Sequence, residues 1–124
     1  MKSTEHLQKG EEGETRAEAY LLEKGYTLLY RNWKNHPHEI DLIALDGNTL
    51  VFAEVKTRST EYFGKPEEAV SVAKQNKLQQ AAEAYLAAHL HEGEIRFDVL
   101  SVVSKNSVTT IHHIEDAFFP GDSW

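Results

Sequence analysis

Two strand-like segments flanking Asp46-Gly47-Asn48 constrain the fold of this chain more than any other feature of its sequence. Residues 38–45 and 49–56 are rich in β-branched and other apolar residues, as strands commonly are. An Asp-Gly-Asn sequence between two such segments is a strong signal for a tight hairpin turn. We therefore predict that the two segments pair as antiparallel strands.

The register of this hairpin decides which side chains share a face, since alternate residues of a strand point to opposite sides of a sheet. With residues 47 and 48 as the loop, Asp41 lies opposite Glu54, and Glu39 lies opposite Lys56. One face is then entirely apolar and carries Ile40, Leu42, Ala44, Val51, Ala53 and Val55. The other face is charged far from the turn and carries, near the turn, Ile43, Leu45, Leu50 and Phe52.

The pairing of Asp41 with Glu54 suggests a metal site. Side chains directly opposite each other on paired strands have Cβ atoms roughly 4.5–5.5 Å apart, so two carboxylates there repel each other. Partial burial adds to the cost because it raises their pKa values. The arrangement becomes favourable when Mg²⁺ lies between them, since this ion prefers carboxylate, water and phosphate oxygens. Lys56, on the same face, could then hold or help deprotonate a water, or neutralise charge on a phosphate.

Two other interpretations stay open from the spacing alone. Strands at a sheet edge often expose alternating charges, and Lys56 could form ordinary ion pairs with the neighbouring carboxylates, each contributing about 0–1 kcal/mol. A loop formed by residues 46 and 47 would instead place Asp41 opposite Phe52.

The remaining segments place this hairpin in a mixed sheet flanked by helices. Apolar residues recur at helical spacing before Gly25 and again after Pro66, where two acids favour a helix N-terminus. The predicted elements are a helix over 14–24, a strand over 26–33, the hairpin, a helix over 66–90, and strands over 94–103 and 107–114. The order α-β-β-β-α-β-β predicts one α/β domain over residues 1–124, with residues 1–9 and 119–124 as flexible tails.

Composition narrows the class of protein. The chain has 124 residues and no Cys, which excludes disulfide frameworks, thiol catalysis and Cys-based zinc sites. No segment approaches the roughly 18 apolar residues of a membrane span, so we expect a soluble cytoplasmic protein with no membrane partner. A net charge of -7 argues against a protein that coats nucleic acid regardless of its sequence.

Several segments carry a resemblance to a known family: Glu14, then His38-Glu39-Ile40-Asp41-Leu42-Ile43-Ala44, then Phe52-Ala53-Glu54-Val55-Lys56-Thr57-Arg58. They resemble the motifs of the PD-(D/E)xK nuclease superfamily. More specifically, the chain is similar to the YraN-like family of predicted endonucleases, which is related to Holliday junction resolvases of the archaeal type. Further matches occur at Gly10 to Tyr26, Arg31-Asn32-Trp33, Gly64 to Val70, Lys74, Ala82 to Leu86, Arg96-Phe97-Asp98-Val99 and Ala117-Phe118.

Two positions depart from the family pattern. His38 stands where the family usually has Gly, which predicts a different loop at the entry to that strand. Ile40 replaces the nominal Pro of the motif, a change that is common in the superfamily and leaves the chemistry intact.

The resemblance implies a restriction-endonuclease-like core and a metal-dependent endonuclease that hydrolyses phosphodiester bonds of DNA, including branched or flapped DNA. It implies that Asp41 and Glu54 bind Mg²⁺, for which Mn²⁺ could substitute, and that Lys56 serves the attacking water. It places the first-helix acid of the motif at Glu14, as a further catalytic residue and metal ligand. The related resolvases act as dimers, so a homodimer is one expectation. The alternative is a non-catalytic module on the same fold that binds nucleic acid or acts within a larger complex.

Several basic residues are candidates for binding nucleic-acid phosphates, with DNA favoured over RNA. Between residues 56 and 77, Lys and Arg outnumber Asp and Glu by five to three. The candidates are Arg58, Lys65, Lys74, Arg31 and Lys34. Glu39 is expected either as an additional acid of the site or as a partner that orients Lys56.

The histidines suggest a third class of function. His36 and His38, with Glu39, would suit a catalytic zinc site of a hydrolase, but a further convergent ligand is not evident and the sequence has no H-E-x-x-H helix. His112 and His113 are expected on the solvent side.

Overall fold

The protein folds as a mixed α/β structure whose element order agrees with the prediction. A computed structural model describes residues 2–58 and 71–118, with side chains from residue 11 onward. Its elements are α1 (Lys2–Glu23), β1 (Thr27–Asn35), β2 (His38–Asp46), β3 (Thr49–Arg58), α2 (Val72–Ala88), β4 (Ile95–Lys105) and β5 (Val108–Ile114). The predicted helix start at Pro66, the candidate Lys65 and the predicted tail over 119–124 lie outside the described residues.

The strands form a sheet in the order β1-β2-β3-β4-β5. β3 and β4 run parallel, and the other neighbours run antiparallel. Parallel neighbours require a long connection, and α2 lies within the one between β3 and β4. In this strand order β3 is the central strand, paired with β2 on one side and with β4 on the other.

Each helix covers an apolar cluster on its own face of the sheet. On the α2 face, Tyr85 packs with Phe52 and Phe97; on the α1 face, Leu21 packs with Leu42. Side chains that alternate along the strands supply both clusters, which is why the hairpin is apolar on two faces near its turn. Over residues 2–58 and 71–118, no helix is both long enough and apolar enough to cross a membrane.

The predicted register of the β2–β3 hairpin is confirmed near the turn, whereas the predicted pairs Asp41–Glu54 and Glu39–Lys56 lie beyond the paired residues. Asp46 pairs with Thr49, and the pairing continues as far as Leu42 opposite Ala53. One assignment is wrong, because Ile40 packs in the α2-side cluster rather than with Leu42. β2 keeps its pairing with β1 here, but its pairing with β3 stops at Leu42, and Asn32, between the partners of Leu42 and Ile40 on β1, has a positive φ, so the strands are irregular where the assignment fails.

Both helices differ from their predicted N-terminal bounds. α1 begins at Lys2, well before the predicted start. α2 begins at Val72, because Ser71 is extended and its hydroxyl accepts a hydrogen bond from the Lys74 N–H at 3.2 Å. A serine in this role caps a helix by satisfying one of the unpaired N–H groups of its first turn. A helix running unbroken from Pro66 is therefore wrong at Ser71.

The C-terminal end of α1 agrees with the prediction. Gly25 has a φ of +94°, a conformation that costs glycine little. The chain reverses there, and the Tyr26 N–H donates to the Leu21 carbonyl at 2.9 Å.

Gly13 allows α1 to approach β3 closely. Gly13 is buried, and a Cβ atom at this position would collide with the Thr57 side chain. In a solvent-exposed helix, replacing glycine by alanine stabilises the helix by about 1 kcal/mol. We expect Gly13→Ala to lower the free energy of unfolding by about 1–3 kcal/mol instead, because the contact becomes overpacked. Denaturant unfolding beside Glu12→Ala, at an exposed neighbouring position, tests this; a gain in stability for Gly13→Ala would contradict the close approach.

Candidate functional site

The candidate site lies where β2 separates from β3. Beyond the last paired residues, the Val55 N–H donates a hydrogen bond to the Asp41 carboxylate, with an N–O distance of 2.8 Å. The carboxylate replaces the backbone carbonyl that a continued ladder would supply. Glu54, the residue before Val55, is only 6 % exposed and lies close enough to Asp41 to affect its charge. Two acidic side chains therefore meet at the central strand.

The surroundings of Asp41 make its carboxyl group a much weaker acid than usual. Burial, followed by the negative charge of Glu54, raises the pKa of Asp41 to about 7. The hydrogen bond from Val55 and the positive charge of Lys74 favour the ionised form but are outweighed. Two acids brought together with little water around them give this result. Asp41 therefore exchanges its proton near neutral pH.

Glu54 is paired with two lysines from different elements. The Lys56 Nζ lies 3.6 Å from Glu54 Oε1, and the Lys74 Nζ lies 3.3 Å from the same oxygen. Lys56 comes from β3 itself, whereas Lys74 comes from the first turn of α2. The phosphate-binding prediction for Lys74 took no account of this ion pair, since sequence spacing does not reveal how a helix docks on a strand.

A cleft of about 310 Å³ opens beside Glu54. Its lining comes from the β1–β2 hairpin end, β3 and α2, and consists of Pro37, His38, Glu39, Glu54, Lys74, Lys77, Leu78 and Gln80. Glu39 thus lies in the cleft with Glu54, on a part of β2 that pairs with Lys34 of β1. Acidic and basic side chains both line the cleft. The acids would suit a cation and the lysines a phosphate.

Glu14 is connected to the neighbourhood of Asp41 by a hydrogen bond with Asn32. The Glu14 carboxylate accepts a hydrogen bond from the Asn32 side-chain amide at 3.0 Å and lies 3.8 Å from the Arg31 guanidinium. The neighbours of Asn32 on β1 pair with Leu42 and Ile40, so Asn32 lies beside Asp41 on the adjacent strand. Asn32 has a φ of +54°, which asparagine tolerates better than most residues. No role for Asn32 was predicted from the sequence.

Asp41 and Glu54 fit Mg²⁺ as a pair of ligands. This ion is commonly bound by one or two carboxylates and completes its coordination with water and substrate phosphate. Burial first, and then the charge of Glu54, raise the pKa of Asp41, and a bound cation would favour the ionised carboxylate. Among the described side chains, no three from His, Asp and Glu form a group that could hold a metal. Glu14 is therefore not placed as a third ligand.

The predicted phosphate-binding residues do not all face the cleft. Arg31 is tied to α1, because it donates to the Glu11 carbonyl at 3.0 Å and lies 3.8 Å from Glu18. Lys34 is exposed on β1, and Arg58 ends β3. Of the predicted set, Lys74 lines the cleft.

The two histidines of the zinc hypothesis lie at the β1–β2 turn. His38 pairs with Asn35 and lines the cleft, while His36 is exposed between them. They do not belong to any metal-binding group of three among the described side chains.

A second charged cluster, which the sequence analysis missed, lies on the α1 face at the start of β4. Asp98 is fully buried and accepts two hydrogen bonds from Arg96, at 2.8 and 3.0 Å, and one from His113 at 2.7 Å. Arg96 also donates to the Tyr26 hydroxyl at 2.7 Å and to Asp46 at 3.0 Å. We call these five residues the Asp98 network.

The prediction that His113 faces solvent is wrong. Its side chain is only 2 % exposed and packs edge-on against the rings of Tyr20 and Tyr26. Its second ring nitrogen lies 3.1 Å from the Lys24 ammonium. Strand alternation showed that His112 and His113 point to opposite faces of β5. It did not show that α1 covers the face that carries His113.

Comparisons with known proteins match nearly the whole chain. A model of a family described as Uncharacterised protein family UPF0102 matches residues 13–102, which include Asp41, Glu54, Lys56 and Lys74. A UPF0102 protein of Bacteroides thetaiotaomicron is 42% identical over 116 residues, covering 94% of this chain and 96% of that protein. One from Chlorobium chlorochromatii is 47% identical, covering 89% and 90%. One from Thermodesulfovibrio yellowstonii is 45% identical over 113 residues, covering 91% and 97%.

Proposed function

This chain belongs to the UPF0102 family, and we propose that it is a metal-dependent nuclease that hydrolyses phosphodiester bonds of DNA. The observation that carries the proposal is the pair formed by Asp41 and Glu54, with two lysine ammonium groups within 3.6 Å of Glu54. Burying two acids together is unfavourable for folding alone. Such a pair next to a cleft that also carries Lys74 and Lys77 is suited to a cation and a phosphate. The resemblance of the hairpin to the PD-(D/E)xK motifs supports the same function.

Asp41 and Glu54 would hold Mg²⁺, with Mn²⁺ as a substitute. When bound, the ion would supply positive charge at the scissile phosphate and lower the pKa of a coordinated water. The Val55 N–H fixes the orientation of the Asp41 carboxylate. Glu54 is fixed by its burial in the central strand. A rigid pair of ligands of this kind sets where the phosphate must lie.

Lys56 would serve the attacking water. Its ammonium group lies 3.6 Å from Glu54, and its side chain is 33 % exposed. From that position it can donate a hydrogen bond to a water on the open side of the carboxylate pair. It also offers a positive charge to the phosphate oxygens as negative charge develops in the transition state.

The proposed substrate is DNA of particular structure, such as a branch or a flap. The net charge of -7 opposes extended contact with a nucleic-acid backbone. The cleft instead offers a local basic surface at Lys74 and Lys77. Binding should therefore be confined to a few phosphates and weaken with added salt.

A second candidate function is a nucleic-acid-binding module without catalysis. The observation that favours it is the state of the acids: Glu14 is bonded to Asn32, and Glu54 is neutralised by lysines of the chain itself. Such a module would bind DNA in the cleft and leave it intact.

Cleavage assays distinguish the two functions. We expect the purified protein to cut flapped or four-way DNA in Mg²⁺ or Mn²⁺, and to leave it intact in EDTA. Lys56→Ala should reduce the rate at least tenfold, since positioned proton-transfer and charge-stabilising groups commonly contribute that much or more. Lys105→Ala is the matched control, because Lys105 is exposed at the C-terminal end of β4 and does not line the cleft. Linear DNA and RNA of equal length define the substrate class.

Two outcomes would contradict the nuclease. DNA that is bound in the presence of Mg²⁺ but never cut would favour the binding module. Cutting that persists equally in Lys56→Ala, or in EDTA, would come from another enzyme in the preparation.

A further inference from the structure

We propose that Lys74 exchanges between Glu54 and a phosphate of the nucleic acid, so that substrate binding makes Glu54 available to the metal. This inference rests on the proposed function, because it concerns the same carboxylate pair. It assigns Lys74 the role of a positioning residue that couples the binding of the two ligands.

The ion pair between Lys74 and Glu54 is the first support. The Lys74 ammonium is the closer of the two to Glu54, at 3.3 Å against 3.6 Å for Lys56. Both contact the same oxygen, Oε1. A divalent cation bound to that oxygen would lie within a few ångströms of two positive charges. Metal binding and the two ion pairs therefore compete.

The position of Lys74 in α2 is the second support. Lys74 lies in the first turn of the helix, and its own N–H bonds to the Ser71 cap. The N-terminal end of a helix is electrically positive, so a lysine there is unfavourable for the helix itself. Glu54 compensates this charge in the absence of ligand, and a phosphate would compensate it equally well.

The cleft supplies the second position for the ammonium group. Lys74 lines the cleft, and its side chain is 38 % exposed, whereas the Glu54 side chain is 8 % exposed. The four-carbon stem of lysine allows its charge to move while the helix stays in place. Lys77 lies one turn further along the same wall of the cleft. A DNA phosphate in the cleft would thus meet two lysines and draw Lys74 away from Glu54.

Lys56 is less suited to such an exchange. It lies on β3, two residues from Glu54, and belongs to the same strand as the carboxylate that it contacts. Lys74 belongs to a different element and borders the cleft where the phosphate would enter. We therefore assign the exchange between Glu54 and a phosphate to Lys74 rather than to Lys56.

The coupling must act in both directions. If DNA raises the affinity for the metal, the metal raises the affinity for DNA by the same factor, and such factors commonly lie between about 5 and 150. We expect a factor of about ten for one exchanged ion pair. Metal alone and DNA alone should each bind weakly, and together they should bind well.

Mn²⁺ binding followed by electron paramagnetic resonance tests the inference without any cleavage. Titrations are carried out with and without a flapped DNA whose phosphorothioate linkages resist hydrolysis. For the unmodified protein, we expect DNA to raise the Mn²⁺ affinity about tenfold. Lys74→Gln should bind Mn²⁺ several-fold more tightly without DNA, and DNA should then change the affinity by less than a factor of two.

Two further variants make the test specific to Lys74. Lys105→Gln removes an exposed charge outside the cleft and should keep both the low Mn²⁺ affinity without DNA and the tenfold gain with DNA. Lys74→Arg keeps the positive charge within reach of Glu54 and should preserve most of the DNA effect. Thermal unfolding of all three variants confirms that each is folded, as expected for replacements of partly exposed side chains.

The outcomes separate this inference from the proposed function. If Lys74→Gln binds Mn²⁺ as weakly as the unmodified protein, or still gains tenfold from DNA, the exchange is wrong while the metal site stands. If the unmodified protein with DNA binds Mn²⁺ no better than Asp41→Asn, the metal site itself is wrong, and the exchange fails with it.

Discussion

Replacing Asp98 by alanine is expected to lower the free energy of unfolding by about 3–5 kcal/mol, the usual cost of removing one partner from a buried ion pair. Asp98 is fully buried, so Arg96 and His113 would lose their main hydrogen-bond acceptor inside the protein. An unpaired charge or polar group in that environment is costly because water cannot replace the lost partner.

Denaturant unfolding at neutral pH measures this loss. Glu115→Ala is the matched control, because Glu115 contacts Tyr26 and Lys24 at the rim of the network with its side chain 49 % exposed. Its removal should cost less than about 1 kcal/mol, as exposed ion pairs do. Equal losses for Asp98→Ala and Glu115→Ala would mean that the network contributes no more than a surface pair.

The contribution of Asp98 depends on pH in a defined direction. Burial alone would raise the pKa of Asp98, but the hydrogen bonds from His113 and Arg96 outweigh burial and hold the pKa below its usual range. A lowered pKa in the folded state stabilises the protein above the pKa of the unfolded chain, near 3.9 for Asp. The stability difference between the unmodified protein and Asp98→Ala should therefore shrink as the pH falls below about 4.

Asp41→Asn is expected to have the opposite effect and to stabilise the metal-free protein by roughly 2–4 kcal/mol at pH 8. The pKa of Asp41 is raised from 3.8 to about 7 in the folded state, first by burial and then by Glu54. A carboxyl group with a raised pKa stabilises the folded state most below the unfolded value and least above the folded value. Asparagine has no charge to lose, and its carbonyl can still accept the hydrogen bond from Val55.

Unfolding in EDTA at several pH values tests this expectation. The gain from Asp41→Asn should be full above pH 7 and shrink toward zero as the pH falls from 7 to 4, following the two pKa values of Asp41. Asp116→Asn, at an exposed position where the positive φ of 55° suits both residues, is the control. A gain that is absent at pH 8, or equal at pH 4 and pH 8, would show that ionising the buried Asp41 carboxyl beside Glu54 does not limit stability.

The central hairpin was predictable because two local signals agreed. The turn sequence limited the loop, and the alternation of apolar residues selected the register that the structure contains, with Leu42 opposite Ala53. The end of the pairing was not predictable, because it depends on the Asp41 side chain replacing a backbone carbonyl toward Val55. Alternation assumes regular strands on both sides, and it misplaced Ile40 where β2 has left β3 and β1 is irregular at Asn32.

Contacts between elements distant in the sequence could not be predicted from spacing. Lys74 contacts Glu54 because the first turn of α2 packs over that part of β3. Glu14 contacts Asn32 because α1 packs beside β1. The helix periodicity showed which faces were apolar, but it did not fix how far along the strands each helix lies. The same limitation hid the burial of His113 beneath α1.

The Asp98 network also bears on how long the folded state survives. Arg96 and Tyr26 are separated by 70 residues, and Arg96 and Asp46 by 50, so these bonds form only after widely separated parts of the chain have met. Interactions that are completed after the folding transition state slow unfolding and leave the folding rate nearly unchanged. We therefore expect the loss of Asp98 to appear mainly as faster unfolding, because the network connects the start of β1 with β4 and β5.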